Sequence, residues 1–132
     1  MANMTVSSVS GKPGSHLKRV TFTHTSAGTA AGSTTTTEDI NGMLLRAVTT
    51  GGDASWTFVL NDGTADIYTS PALSATATSV PLYQVAAGSL TQVTDDESDF
   101  AYGIPLSGQA LTCTTAGVTT TAPTITVIFR EY

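Results

Sequence analysis

Hydrophobic and polar residues alternate one by one along several short stretches of the chain, which is the pattern of β-strands with one buried face. In the clearest stretch, 55–61, three large apolar residues share a face: Trp56, Phe58 and Leu60. The same period recurs in 17–25, 109–115 and 125–130. Each of these stretches predicts a strand, and the shared face predicts that Trp56 points into the core.

A second kind of strand signal is the largely apolar run 43–50, which lies between glycine-containing turns and predicts a strand buried on both sides. The turn sequence Asn-Asp-Gly at 61–63 predicts a hairpin that joins 55–61 to 66–69. Together, the strand patterns predict a core with these members: Val20, Phe22, Leu44, Leu60, Leu111, Val127 and Phe129.

The remaining segments carry weaker signals. Residues 4–10 predict a first edge strand, and Pro81 confines the strand predicted over 79–85 to an edge. The segment 26–37 has no periodicity and is predicted to be a low-complexity loop. About eight short strands and no helix indicate an all-β fold, an antiparallel β-sandwich of the jelly-roll or immunoglobulin-like type.

The length of 132 residues fits one hydrophobic core. We predict an extended N-terminal arm at 1–16 and a single β-sandwich domain at 17–132. The segments 1–16 and 26–37 are too polar to be expected to pack on their own core, so we expect neighbouring molecules to hold them.

Charge narrows the classes of partner. Only 11% of the residues are charged and the net charge is −5, while the few basic residues are dispersed along the sequence. This balance is not typical of proteins that bind nucleic acid. No stretch is long and apolar enough to predict a membrane span, and no secretory signal is recognised. We therefore expect neither a nucleic-acid nor a membrane partner, and synthesis in the cytoplasm.

Residues that could support catalysis or bind a metal are few. His16 and His24 are predicted to be ordinary surface residues, and Cys113 falls on the inward phase of its strand. Without a nucleophile motif, no enzyme, catalytic residue or cofactor is predicted. Two acidic groups could bind calcium, although solvated or contact loops are the simpler interpretation. They are Asp62 with Asp66, and the run Asp95, Asp96, Glu97 and Asp99.

Two blocks of the chain resemble small virion-associated proteins of tailed bacteriophages. The first, 42–52, reads G-M-L-L-R-A-V-T-T-G-G and matches the pattern G-x-L-L-R-x-V-T; it continues through the strand and acidic turn at 56–67. The second comprises 104–112 and 126–130, which match the closing strands of these proteins. Trp56 replaces the usual Tyr, and the acidic turn is shortened. The resemblance covers residues 17 to 130.

This resemblance implies a non-enzymatic structural protein on the exterior of the virion. The implied role is to decorate or cement the capsid shell, with the major capsid protein as partner and with assembly as a homo-oligomer. A carbohydrate-binding or adaptor β-sandwich of the phage neck or tail is the alternative. The carbohydrate-binding form would require Trp56 on an exposed stacking surface.

Possible contacts follow from the exposed groups. The acidic run at 95–99 could meet a basic shell, while His16, Lys18 and Arg19 could meet acidic patches of a neighbouring copy. Exposed ion pairs are weak, so affinity is expected from strand addition and from burial of exposed aromatic residues. The candidate aromatic residues are Tyr83, Tyr102 and Tyr132.

Overall fold

The computed structural model describes residues 4–24, 32–81, 84–85, 101–102 and 104–131. These residues contain no helix and form antiparallel strands throughout, which confirms the predicted all-β sandwich. Twelve strands are present in the described part, more than the eight expected. They are β1 (Met4–Val6), β2 (Leu17–His24), β3 (Ser33–Asp39), β4 (Met43–Thr50), β5 (Thr57–Asn61), β6 (Asp66–Thr69), β7 (Thr78–Pro81), β8 (Gln84–Val85), β9 (Ala101–Tyr102), β10 (Ile104–Pro105), β11 (Ala110–Ala116) and β12 (Thr124–Arg130).

Two sheets make up the sandwich. The larger sheet has the order β1-β2-β12-β4, and the far edge of β4 pairs with β10 at its beginning and with β7 further along. The smaller sheet has the order β3-β11-β5-β6. Strands β8 and β9 form a separate two-stranded pair.

The pairing of the eight principal strands is that of a rolled-up nested hairpin. The outermost pair is β2 with β12, and the pairs β3 with β11, β4 with β7 and β5 with β6 follow inward along the chain. Successive pairs fall alternately in the larger and the smaller sheet. This connectivity is that of a jelly roll, so the topology decides between the two sandwich types that the sequence left open.

The core lies between the two sheets and contains the residues that the alternation predicted to point inward. All seven predicted core residues are fully buried, as are Trp56 and Cys113. The ring centroids of Trp56 and Phe58 lie 6.3 Å apart, and those of Phe58 and Tyr68 lie 5.8 Å apart. The indole N–H of Trp56 donates to the carbonyl oxygen of Ser74 at 3.2 Å, so this buried polar atom is satisfied.

The prediction of a loop at 26–37 is wrong from residue 33 onward, where the chain forms the edge strand β3; residues 26–31 lie outside the described part. Thr35 faces Thr112 with their hydroxyls 2.7 Å apart, and the Ser33 and Thr114 hydroxyls lie 3.1 Å apart. Threonine is β-branched and favours strands, but a run of threonines has no contrast between its two faces. For this reason hydrophobic periodicity could not find this strand.

The expectation that residues 1–16 do not pack on their own core is wrong for β1. Met4 is only 4% exposed and lies opposite His24 of β2, while Val6 and Val9 pack against the edge of the core. Ser10 exchanges two backbone hydrogen bonds with Arg19. The segment from Met4 to Ser10 is therefore attached to the sandwich as an edge, as its alternation predicted.

His24 is buried, which corrects the prediction that it lies on the surface. Its side chain is 3% exposed, and neither ring nitrogen has a hydrogen-bond partner among the described residues. The inward phase that Val20 and Phe22 define along β2 also points His24 inward. Strand β1 extends the sheet beside it, and Gly32 lies so close to the ring that a Cβ there would overlap it. The end of β2 is therefore covered.

Asp53 joins two loops at one end of the sandwich. Its carboxylate accepts backbone hydrogen bonds from Thr119, Thr120 and Thr121 at 2.6, 2.9 and 3.2 Å, and it also accepts the hydroxyls of Thr119 and Thr120. These bonds favour the ionised form, and they hold the pKa of Asp53 well below its usual range, with the Thr120 hydroxyl the largest cause.

This arrangement predicts a pH-dependent effect of Asp53→Asn. A carboxylate with a lowered pKa in the folded state stabilises the fold at pH values above its unfolded pKa, and loses that effect as the pH falls through the folded pKa. The variant should therefore melt below the wild type at neutral pH, and the difference should shrink below about pH 4. Thermal unfolding across a pH series measures this difference. The exposed Asp39→Asn variant is the control, and a pH-independent gap would contradict the interpretation.

Candidate protein-binding face

The outer face of the larger sheet concentrates the basic residues of the chain. Its six strands contain no Asp or Glu, and three of the five Lys and Arg residues of the chain point outward from them: Arg19, Arg46 and Arg130. The chain as a whole has a net charge of −5, whereas this face is positively charged. The dispersion seen along the sequence does not hold in the fold.

The strand register places the three arginines in a checkerboard with apolar residues. Directly opposed residues on neighbouring strands point to the same face. Across β2, β12 and β4, one row reads Arg19, Ile128, Arg46 and the next reads Leu17, Arg130, Met43. We call these six residues the arginine face.

A bulge in β4 gives Arg46 this position. Ile128 lies opposite Arg46 and Phe129 lies opposite Leu44, so Leu45 is an extra residue in the strand. Strict alternation from the buried Leu44 would turn Arg46 inward, but the bulge turns it to the outside and buries Ala47 instead. The prediction that this strand is buried on both sides is therefore wrong.

The arginine face is exposed, and no other segment of the described fold covers it. Leu17 is 52% exposed, the three arginines are exposed, and Ile128 and Met43 are half-buried. Among the described residues, no carboxylate forms an ion pair with any of these arginines. Like charges close together on one sheet face repel each other. Grouping the three arginines on one face therefore lowers the stability of the fold unless an acidic partner binds there.

A groove of about 220 Å³ opens beside the arginine face where the N-terminal segment crosses β2. Its lining combines cationic groups with hydroxyls, a donor set that suits a carboxylate. The lining residues are Ser10, Gly11, Lys12, Ser15, Leu17, Lys18, Arg19 and Ile128. Lys18 and Arg19, which the sequence suggested as contact residues, thus lie together, and His16 is exposed nearby in the chain.

The outer face of the smaller sheet has the opposite charge. Its four strands contain no Lys or Arg and carry three exposed acidic residues. Asp39 lies opposite Ala110, and Asp66 lies opposite Asn61, whose side-chain amide donates to it at 3.0 Å. Glu38, the third, accepts the backbone N–H of Val9 at 2.9 Å and so points away from this face, toward the N-terminal segment. We call Asp39 and Asp66 the acidic end.

The structure uses the first calcium candidate, Asp62 with Asp66, to build a turn. Burial acts to raise the pKa of Asp62, but hydrogen bonds from the hydroxyl and N–H of Thr64 and the N–H of Ala65 outweigh it, and the pKa is lowered. Within the described ranges, no three His, Cys, Asp or Glu residues group as a metal site. The second candidate, at 95–99, lies outside the described residues.

The other residues singled out in the sequence have these places. Cys113 is buried, and its burial raises the pKa of the thiol. Tyr83 and Tyr132 lie outside the described residues, and of Tyr102 only the backbone in β9 is described. Arg46 and Arg130, two of the three charged residues of the arginine face, were not identified as contact residues from the sequence, because only the pairing of β12 with β2 and β4 brings them to Arg19.

Comparisons with family models, with curated proteins and with solved structures find no match to this chain. Among the described residues, no helix is long and apolar enough to cross a membrane.

Proposed function

We propose that this protein is a non-enzymatic structural component of a tailed-bacteriophage particle, made in the host cytoplasm, that decorates or cements the exterior of the capsid shell. The major capsid protein is the proposed partner, and the arginine face is the proposed protein contact. The arginine face is the observation that carries the proposal. Arginine, methionine and large apolar residues are enriched where proteins meet, whereas Lys, Glu and Asp are depleted there.

Two further observations support this role. The resemblance at 42–67 and 104–130 points to virion-associated proteins, and jelly rolls recur in viral capsid domains, although a fold alone does not determine a function. The checkerboard also lies on a regular sheet rather than on loops, so its side chains are held in place before binding. A preorganised face loses less conformational entropy on contact.

The alternative role of a carbohydrate-binding or adaptor sandwich in the neck or tail receives less support. Trp56, which would have to stack on a sugar, is fully buried and hydrogen-bonded within the core. Copy number separates the shell role from a neck or tail role. Quantitative mass spectrometry of whole particles should find a copy number on the scale of the shell subunits rather than that of a single neck ring.

The binding experiment uses undecorated shells and the triple variant Arg19→Gln, Arg46→Gln, Arg130→Gln. Bound copies are measured by co-sedimentation with the shells. Exposed ion pairs contribute about 0.2–1 kcal/mol each, so the loss of three cations should weaken binding by about threefold to 150-fold. The variant should unfold at the wild-type temperature or slightly above it, because the substitutions remove like-charge repulsion from exposed positions.

A control variant separates the arginine face from net charge. The triple variant changes the net charge from −5 to −8, and so does Ala72→Glu, Ala75→Glu, Ala77→Glu at three exposed loop positions. The control should bind as the wild type does. Equal losses for the two variants would show that overall charge matters and would count against the face. No binding by the wild type would overturn the proposed function itself.

A further inference from the structure

We infer that the arginine face binds the acidic end of a second copy of this chain, so that sandwiches stack face to back. This inference rests on the proposed role of the arginine face as a protein contact: the copy that places this face on the shell presents its acidic end to the arginine face of the next copy. The two surfaces lie on opposite sides of one molecule, one on the larger sheet and one on the smaller. They carry opposite charges and are built from adjoining parts of the chain.

The two surfaces lie at the same end of the sandwich. Strand β3 ends at Asp39 and strand β4 begins at Met43, so the connection between them leaves the acidic end and enters the arginine face. A second copy displaced along the direction normal to the sheets, without rotation, therefore places one surface opposite the other. The complementarity is thus geometric as well as electrostatic.

The spacing of the charges also matches. Arg19 and Arg46 are separated by two strand spacings, about 10 Å, with Arg130 between their strands. Asp39 and Asp66 are separated by three strand spacings and by two residues along the strands, about 16 Å in all. Arginine side chains are long enough to cover this difference, and each guanidinium can bind a carboxylate with two hydrogen bonds.

The apolar half of the checkerboard favours a protein over a nucleic acid as the occupant. Phosphates would pair with the arginines but would leave Leu17, Met43 and Ile128 uncovered. The smaller sheet can cover them with its outer surface, where Thr112 lies between the acidic residues and Thr114 and the half-buried Val59 form the next row. Interfaces of this kind combine charged and apolar contacts.

The area of the contact indicates a weak pairwise interaction. Four strands spaced by about 4.8 Å and seven residues long at about 3.3 Å give a face of about 450 Å². A stack of two copies then buries about 900 Å² in total, slightly below the range of stable complexes. Such a contact is concentration-dependent in solution and gains strength when a shell holds many copies close together.

The contact joins two different surfaces of copies related by a displacement, so it continues as an open stack. This property permits a sharp test with two variants. The first variant is Arg19→Gln, Arg46→Gln, Arg130→Gln, and the second is Asp39→Asn, Asp66→Asn. The amide in place of Asp66 keeps an acceptor oxygen for the side-chain amide of Asn61.

Sedimentation velocity over a concentration series measures self-association of the full chain. The wild type should associate at low salt and dissociate near 1 M salt, where screening acts within about 3 Å. Each variant alone should associate about twofold to thirtyfold more weakly, as expected for the loss of two exposed ion pairs. An equimolar mixture should form a one-to-one pair that does not grow, because each partner keeps only one working surface.

Three results would overturn the inference. They are a wild type that stays monomeric at every concentration, a mixture of the two variants that stays monomeric, and a second variant that associates as the wild type does. Neutralising Asp95, Asp96, Glu97 and Asp99 should leave association unchanged, and a loss there would assign the arginine face to a different acidic segment. The shell-binding measurement is separate, so a monomer that binds shells would disprove stacking and leave the proposed function intact.

Discussion

Replacing Phe129 with alanine should destabilise the protein by about 3–5 kcal/mol, a large fraction of the stability of a domain whose free energy of unfolding is typically about 5–15 kcal/mol. Phe129 is fully buried on β12, the strand that pairs with both β2 and β4 and so joins the two halves of the larger sheet. Its removal leaves a cavity at the centre of the sandwich, which the surrounding strands cannot fill without breaking their pairing. Chemical denaturation of the purified variant measures the change.

The matched control is Thr126→Ala on the opposite face of the same strand. Thr126 is half-buried, and its hydroxyl lies 3.2 Å from that of Thr21. Its loss should cost about 1 kcal/mol or less. If the two variants unfold alike, the inward phase assigned to β12 does not determine stability.

The second large effect is expected for Gly42→Ala. Gly42 precedes β4 with φ 137°, a conformation that side-chain-bearing residues rarely adopt, and a Cβ at this position would overlap the carbonyl oxygen of Arg130. The Gly42 carbonyl also accepts the N–H of Leu106 at 2.9 Å, so the residue is held between two chain segments. Backbone strain and steric displacement together should cost about 3–5 kcal/mol.

The variant Gly14→Ala separates the cost of backbone strain from the cost of steric overlap. Gly14 also has a positive φ, 81°, but a Cβ there meets no atom within 4 Å. Only the conformational cost of about 1–2 kcal/mol should remain. Chemical denaturation of both variants tests this difference. Equal losses of unfolding free energy would mean that the contact with Arg130 can relax. The close approach of the β3–β4 connection to the end of β12 would then contribute nothing to stability.

The sequence by itself determined the all-β class, the inward residues of β2, β5, β11 and β12, and the hairpin at 61–63. These features are local: an alternating strand has only two faces, so one apolar series identifies the buried one. Glycine and asparagine tolerate the backbone conformations of tight turns, which locates the hairpin. The burial of Trp56 and Cys113 follows from the same argument.

Tertiary structure alone decided how these strands pair, and with it the jelly-roll topology and the candidate site. Threonine-rich β3 is a strand because β11 supplies its partner, and His24 is buried because β1 extends the sheet beside it. Arg46 joins Arg19 and Arg130 on one face because a single extra residue in β4 reverses the alternation. Register and bulges depend on contacts between residues far apart in the chain, and no local pattern of hydrophobic and polar positions contains that information.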